Sequence, residues 1–244
     1  MKRLICIFNI IILLFLCCCT PEKEEISISD PTLTVTAEVT LTPSPTPIPT
    51  NKPTYKPTPT PTNTPTVIEN NVPSDYTGKY IITANILKNF VSIYEKNEDG
   101  FYTELVKSFV CSAGIGPGDN FTPTGGFYTS DKYEWRPLFG GTFGRYATRI
   151  TGSYLFHSVP YISQKKDALK SEEYNKLGVA ASQGCIRMTV RDAKWLYDNC
   201  DKRTFVYIYE KDEPIPTLEP FTTIDLSDSR SGWDPTDPDK SNPW

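Results

Sequence analysis

The feature that most constrains how this chain can fold is a long stretch rich in threonine and proline, residues 21–75. It repeats these two residues in runs such as 42–47 and 58–61 and contains almost no aromatic side chains. A segment of this composition cannot bury a core and is expected to stay extended as polyproline II. At about 3.1 Å per residue, some fifty residues reach on the order of 150 Å. We therefore interpret residues 21–75 as a disordered tether.

Residues 1–20 have the pattern of an export signal. Lys2 and Arg3 precede an apolar run, residues 4–19, that is interrupted only by Asn9. At about 15 residues the run is shorter than the roughly 20 that a spanning helix needs, although an uncleaved signal anchor is an alternative. Three consecutive cysteines, residues 17–19, favour a lipoprotein signal, and the alternative is that they end a plain signal peptide. The segment predicts a protein outside the cytoplasm, either membrane-anchored or secreted.

The remaining chain has the length of one ordinary domain followed by a tail. Residues 76–210 are about 135 residues, enough for a single core. Residues 211–244 are rich in proline and aspartate, and we expect them to lie over the domain surface without regular structure. The net charge of −4 and the lack of a Lys/Arg run beyond the export signal argue against a nucleic-acid surface.

Short segments rich in β-branched and aromatic residues, separated by turn signals, predict antiparallel hairpins. The predicted strands are residues 80–86, 90–94, 104–111, 126–129, 154–156 and 203–209. The strand 154–156 delivers His157 at or just past its end. Helical patterns occur over residues 165–177 and in a helix that begins at Thr189, with Asp192 in a capping box. The sequence therefore predicts a mainly β fold with one or two short helices.

The chain contains one histidine, His157, and a cysteine in a turn of small residues, Cys185. A free thiol with a pKa of about 8.5 is mostly protonated at neutral pH, and an imidazole is the usual base that activates it. An isolated Cys and His are more often structural than catalytic. As a catalytic pair, Cys185 would be the nucleophile and His157 the general base. For Cys111 and Cys200 we favour two buried free thiols over a disulfide.

The groups that such a pair needs are available nearby. No Asp or Glu is adjacent to His157 in the sequence, so the carbonyl of Ser158 is predicted to orient the imidazole. Gly184 is expected to leave its peptide N–H open, and the amides from Gln183 to Cys185 could form the oxyanion hole. This chemistry needs neither a metal nor a cofactor, and we expect none.

The segments around His157 and Cys185 closely resemble the catalytic domain of the L,D-transpeptidases, the YkuD-like family. The resemblance covers about residues 80–209 and rests on four segments: residues 122–127, 152–161, 177–188 and 192–197. It implies an L,D-transpeptidase-like β-sandwich. It also implies a cysteine that attacks the stem tetrapeptide of bacterial peptidoglycan, releases D-Ala and passes the acyl group to an amine of a second stem. In this resemblance His157 is the base and the Ser158 carbonyl orients it.

The chain departs from the usual family turn, Ser-His-Gly-Cys, because Gln183 stands at the histidine position. Glutamine donates and accepts hydrogen bonds but carries no proton at neutral pH, so we expect activity with an altered rate or acceptor. Arg187 matches a Cys-x-Arg variant of the family and either organises the site, meets a substrate carboxylate, or makes a purely structural ion pair. Together with Arg187, three residues are expected to bind substrate: Ser182, Tyr154 and Phe156.

Two alternative functions stay open. With water as acceptor the enzyme would be an L,D-carboxypeptidase, and a loss of activity marked by Gln183 would leave a silent wall-binding module. The expected partners are peptidoglycan stem peptides, without nucleic acid, and the membrane is contacted only through the N-terminal signal or a lipid anchor. The chain is expected to be a monomer in the bacterial cell envelope.

Overall fold

The structure, a computed structural model, describes residues 70–116 and 118–244. The predicted signal at 1–20 and nearly all of the predicted tether at 21–75 lie outside the described residues. Within them the chain forms nine strands and two α-helices, together with single 3₁₀ turns at Gly118–Asn120 and Phe139–Gly141. The strands are β1 (Tyr80–Asn85), β2 (Phe90–Lys96), β3 (Tyr102–Val110), β4 (Gly125–Tyr128), β5 (Lys132–Pro137), β6 (Phe143–Thr151), β7 (Tyr154–Ser158), β8 (Ile186–Met188) and β9 (Phe205–Tyr209), and the helices are α1 (Ser171–Tyr174) and α2 (Val190–Asn199). The prediction of a mainly β fold with short helices is confirmed.

The strands form two sheets. The five-stranded sheet has the order β3-β2-β1-β9-β4, and the four-stranded sheet has the order β5-β6-β7-β8. β1, β2 and β3 pair as antiparallel hairpins, as predicted, whereas β9 returns to lie parallel to β1. In the second sheet β7 and β8 are parallel, so the chain between them makes a crossover that contains α1. Residues on this crossover therefore lie beside the β7–β8 pair.

One apolar core joins both sheets and α2. It contains Ile82 and Val206 from the five-stranded sheet, Phe156 and Ile186 from the four-stranded sheet, and Leu196 from α2. All five side chains are fully buried. Burial of this apolar surface is the main force that holds β7 and β8 in place.

The helix predicted over residues 165–177 is mostly absent, since only α1 is helical. Backbone groups of this segment are bonded to other parts of the chain instead. The Leu169 N–H donates to the Gly232 carbonyl, and the Lys170 N–H donates to the Pro160 carbonyl. These long-range bonds replace the bonds to the preceding turn that a longer helix would make.

The first turn of α2 is capped from two directions. Thr189 Oγ1 accepts the Asp192 N–H at 3.2 Å, so the predicted cap at Thr189 is confirmed. The C-terminal tail supplies the other partners, because Asp234 Oδ2 accepts the Val190 N–H at 2.8 Å and Thr236 Oγ1 accepts the Arg191 N–H at 3.2 Å. Three N–H groups that a helix start leaves without internal partners are thereby satisfied.

The tail, residues 211–244, contains no helix or strand, and most of it is exposed or half-buried, but two of its aspartates are buried in contacts with the rest of the domain. Asp237 makes a buried ion pair with Arg145 at 2.5 Å, and the Asp234 side chain is buried against the start of α2. The sequence interpretation missed this, because repeated Asp, Pro and Ser residues look like solvated turns when their partners are distant in the chain. The tail is a structural part of the domain, since it ties α2 to β6.

Cys111 and Cys200 are free and buried, as predicted. Burial raises the pKa of both thiols, that of Cys200 to about 12.

In residues 70–116 and 118–244, none of the helices combines the length and the apolarity that crossing a bilayer demands.

Candidate active site

His157 and Cys185 come from the two parallel strands β7 and β8. His157 lies inside β7, which continues to Ser158, whereas the sequence predicted that His157 is at or just past the strand end. Its partner across the pair is Arg187. Cys185 directly precedes β8 and so lies beside Leu155. Because side chains alternate along a strand, His157, Arg187 and Cys185 share one face, while Phe156 faces the core.

The imidazole of His157 is held by the next carbonyl along its own strand. Nδ1 lies 2.5 Å from the Ser158 carbonyl oxygen. Since a carbonyl only accepts, Nδ1 carries the hydrogen and donates it, which leaves Nε2 as the basic nitrogen. The contact predicted for the Ser158 carbonyl is present.

The environment of His157 keeps the ring neutral. The side chain is 1% exposed. Burial, and to a smaller extent the positive charge of Arg187, lower its pKa to about 4, although the bond to Ser158 opposes this shift. At neutral pH the ring is therefore an unprotonated imidazole that can accept a proton.

The ring fits only because residue 144 has no side chain. A β-carbon on Gly144 would lie 2.8 Å from Nδ1 and 2.9 Å from Cγ of His157. Gly144 is on β6, the strand beside β7, two residues before Tyr146, which has a φ of +50°. The sequence interpretation missed Gly144. Its role depends on contact between strands and leaves no mark in the local sequence.

Cys185 is half-buried and protonated at rest. Burial raises the pKa of its thiol, while a hydrogen bond from the Leu155 amide and the charge of Arg187 act in the opposite direction. The sulfur lies 3.8 Å from the Ser153 carbonyl, to which the S–H can donate. The resting pair is a thiol and a neutral imidazole, so the proton must move during attack.

The turn that carries Cys185 is closed by Ser182. Ser182 Oγ accepts the Gly184 N–H at 3.0 Å and donates to the Cys185 carbonyl at 2.5 Å. Two predictions are therefore wrong: the Gly184 N–H is already bonded, and Ser182, at 1% exposure, shapes the turn instead of binding substrate. Gln183 is exposed and makes no hydrogen bond with any residue that the structure describes.

Gly184 needs its missing side chain for two reasons. Its φ of +104° is one that glycine adopts without strain. In addition, a β-carbon would lie 2.6 Å from Cε1 of Tyr154 and 2.9 Å from the Phe121 carbonyl oxygen. Tyr154 is half-buried and packs against this turn, and whether it also binds substrate stays a prediction.

Phe156 does not bind substrate. It is fully buried in the core that joins the two sheets, on the face of β7 opposite His157. The prediction for Phe156 is wrong, because a motif read along the chain does not show that neighbouring strand residues point to opposite faces.

Arg187 makes an ion pair. Its Nη1 donates to Glu173 Oε2 at 2.6 Å and to the Ala181 carbonyl at 2.9 Å. Of the alternatives that the sequence left open, the structure thus shows an ion-paired guanidinium, with Glu173 as a partner that the sequence interpretation missed.

A loop behind the turn fixes its position. The Gly114 N–H donates to Thr122 Oγ1 at 2.8 Å, and Thr122 Oγ1 donates to the Gly184 carbonyl at 2.9 Å. The Ser182 N–H also donates to the Ala113 carbonyl. Thr122 lies in a segment that the resemblance includes, but no role was predicted for it.

Two further features concern possible ligands. Within residues 70–116 and 118–244, no three His, Cys, Asp or Glu side chains are grouped so as to hold a metal ion. A surface cavity of about 330 Å³ is lined by residues 75–80, Tyr128, Asn199 and residues 201–204. Neither Cys185 nor His157 lines this cavity, so we assign it no role in the chemistry of that pair.

Known proteins share the region that carries this site. A protein of Bacillus subtilis named "Putative L,D-transpeptidase YciB" is 42% identical over 94 residues, which are 37% of this chain and 47% of that protein. The chain therefore spans about half the length of the curated relative that it matches.

Two solved structures are also similar. A fused Zn-dependent amidase/peptidase/peptidoglycan-binding domain protein from Clostridium acetobutylicum has 26% identity and a TM-score of 0.43, covering 59% of this chain and 57% of its own. An L,D-transpeptidase from Mycobacterium smegmatis has 17% identity and a TM-score of 0.42, covering 54% and 59%. Both TM-scores are below 0.5, so neither likeness supports a conclusion about the site.

The decisive match is to a family model. The model of the L,D-transpeptidase catalytic domain, YkuD, matches residues 79–208. That range contains all nine strands and both helices of the described residues except the last residue of β9, as well as His157 and Cys185. The chain belongs to the L,D-transpeptidase catalytic domain (YkuD) family.

Proposed function

We propose that this protein is a cysteine-dependent peptidoglycan L,D-transpeptidase that cross-links stem peptides of the bacterial cell wall. One observation carries the proposal. A neutral imidazole, tied at Nδ1 to the Ser158 carbonyl, shares a sheet face with the half-buried thiol of Cys185. Family membership supports the reaction class, and this geometry supports the assignment of the two residues.

The first half-reaction forms a thioester. His157 Nε2 takes the thiol proton while the Cys185 sulfur attacks the carbonyl carbon that precedes the terminal D-Ala of a stem tetrapeptide. The tetrahedral intermediate collapses, the C–N bond breaks, and His157 returns the proton to the leaving amine of D-Ala. The donor stem is then an acyl group on Cys185.

The second half-reaction transfers that acyl group. An amine of a second stem loses its proton to His157 and attacks the thioester carbonyl, and the proton passes to the sulfur as the thiol leaves. The new amide bond is the cross-link. Water in place of the amine would give the L,D-carboxypeptidase reaction with the same residues.

Peptide N–H groups of the turn stabilise the negative oxygen of both tetrahedral intermediates. Because Ser182 occupies the Gly184 N–H, we assign this role to the amides of Gln183 and Cys185. Backbone donors aimed at an oxyanion typically contribute about 3 kcal/mol each. The Gln183 side chain is exposed beside them and can hydrogen-bond to substrate, but it cannot supply a proton.

The N-terminal segment bears on where the reaction takes place. We propose that residues 1–20 direct the protein out of the cytoplasm and that residues 21–75 hold the domain away from the membrane as a monomer. Fractionation of producing cells, with mass measurement of the mature N-terminus, separates a lipidated chain from a cleaved secreted one. Recovery of the uncleaved chain in the cytoplasm would contradict the proposed location.

The reaction is tested by incubating the full chain with a defined disaccharide-tetrapeptide and following both protein and products by mass spectrometry. We expect an acyl adduct on Cys185, loss of D-Ala, and dimers when an amine acceptor is present. A carbapenem should form the same covalent adduct. Cys185→Ala and His157→Ala should form none, and the buried Cys200→Ala is the matched control that keeps the adduct.

The outcomes separate the alternatives. Trimmed tripeptides without dimers would replace the transpeptidase by a carboxypeptidase. Binding of muropeptides without any adduct, together with a thiol that titrates near an ordinary pKa of about 8.5, would leave a wall-binding module.

A further inference from the structure

Arg187 lies beside both members of the reacting pair. It is the cross-strand partner of His157 and lies two residues beyond Cys185. Its backbone is fixed on the other side as well, because its N–H and carbonyl both bond to the backbone of Ser112. With its side chain 14% exposed, Arg187 is held where its charge is poorly screened by water.

The charge of Arg187 acts on both reacting groups. It lowers the pKa of the Cys185 thiol, against the effect of burial, and it lowers the pKa of His157 in the same direction as burial. Among the described residues it is the one charged side chain that acts on both. A bare guanidinium here would favour a thiolate but disfavour the imidazolium that forms as His157 accepts the proton.

Glu173 offsets that charge. Its Oε2 accepts from Arg187 at 2.6 Å, and its Oε1 accepts from Lys176 at 2.6 Å. Burial raises the pKa of Glu173, but the bonds and charges of Lys176 and Arg187 outweigh burial and lower it overall. Glu173 is therefore a carboxylate at neutral pH, and it is bonded to Nη1 of the guanidinium.

We propose that Glu173, on the crossover helix α1, is a positioning residue that sets the charge felt by the Cys185–His157 pair through its ion pair with Arg187. The roles of Cys185 and His157 rest on the proposed function, but the electrostatic relation does not require turnover. Glu173 touches neither reacting group. It acts by fixing the guanidinium and by cancelling part of its charge.

The proposal predicts opposite effects from the two halves of the pair. Removing the carboxylate in Glu173→Gln leaves Arg187 uncompensated, so the thiol pKa of Cys185 should fall by about 0.5 to 1 unit. Removing the cation in Arg187→Gln should raise that pKa by a similar amount of about 0.5 to 1 unit. A pair that only stabilised the fold would not shift the thiol in opposite directions.

The measurement is the rate of iodoacetamide alkylation of the full chain between pH 6 and pH 11. The chain has seven cysteines, so modification is read from the Cys185 peptide by mass spectrometry. Glu172→Gln is the matched control, because it removes the same charge from the neighbouring, exposed position of α1. It should leave the thiol pKa unchanged.

A further variant keeps the test valid if Arg187→Gln misfolds. If Arg187→Gln does not fold, Arg187→Lys keeps the positive charge and should hold the thiol pKa close to that of the unmodified protein, while Glu173→Gln still lowers it. Thermal unfolding is measured for each variant. Unchanged thiol pKa values in Glu173→Gln, or shifts in the same direction for Glu173→Gln and Arg187→Gln, would overturn the proposal.

This test is distinct from that of the reaction. Alkylation needs no peptidoglycan substrate, so opposite shifts without any acyl adduct would retain the electrostatic role and reject the transpeptidase. An acyl adduct on Cys185 without any shift of its thiol pKa in the variants would support the transpeptidase and reject the role of Glu173.

Discussion

Gly144 and His157 lie so close that a single methyl group at residue 144 cannot be accommodated. The β-carbon of an alanine there would lie 2.8 Å from the ring nitrogen that bonds to the Ser158 carbonyl. The imidazole would have to turn away from the orientation in which Nε2 is free for the thiol proton. The glycine on β6 is therefore part of what orients the base on β7.

Gly144→Ala should reduce acylation of Cys185 by about 100-fold, since displacement of a catalytic group by about 1 Å costs on that order. The measurement is the rate of adduct formation with a carbapenem. Gly100→Ala is the control: its φ of +87° makes the substitution strained, but nothing lies within 4 Å of the added atom. It should lower stability without changing acylation. Equal rates in both variants would show that the ring tolerates the contact.

The acidic side of the pH profile should follow His157. Its pKa is lowered to about 4 by burial and by Arg187. Above that pH the ring is neutral and can take the thiol proton, and below it the ring is protonated and cannot. Acylation of the free enzyme should therefore persist down to about pH 5 and be half lost near pH 4. A midpoint near the unperturbed value of about 6.5 would contradict the environment described for His157. Circular dichroism at each pH excludes unfolding as the cause.

The buried ion pair between the tail and β6 should be essential for stability. Asp237→Asn leaves the guanidinium of Arg145, which is 3% exposed, without its counter-charge. Breaking such a pair typically costs about 3 to 5 kcal/mol, measured as the free energy of unfolding in urea. Asp198→Asn breaks the exposed pair with Lys194 on α2 and should cost less than about 0.5 kcal/mol. Similar small costs for both variants would mean that the tail does not stabilise the domain.

The three cysteines of the domain should differ sharply in reactivity. Cys111 and Cys200 are fully buried, whereas Cys185 is half-buried at the surface of the β7–β8 pair and is the one that a reagent can reach without unfolding. Treatment of the native protein with iodoacetamide at pH 8 should therefore modify Cys185 and leave the other two intact until the chain is unfolded. Early modification of Cys200 would show that the packing of α2 against the sheets is looser than described.

Local patterns were sufficient where the governing interaction is itself local. Segments rich in β-branched and aromatic residues, separated by turn signals, predicted β1 to β3 as hairpins, and Thr189 predicted the start of α2. Strand pairing in hairpins and helix capping depend on residues a few positions apart. The bond from His157 to the Ser158 carbonyl was predicted for the same reason. The helix over residues 165–177 was wrong, since backbone bonds to Gly232 and Pro160 outcompete helical ones.

The sequence by itself determined that the chain contains one mainly β domain, and that its single histidine and Cys185 are the candidates for chemistry. Only the tertiary structure decided that Phe156 belongs to the core, that Ser182 closes the turn, and that distant residues complete the site. Glu173, Gly144 and Asp234 each act across strands or from the tail. Their effects depend on distances between atoms that are far apart in the chain, and a linear pattern contains no such distances.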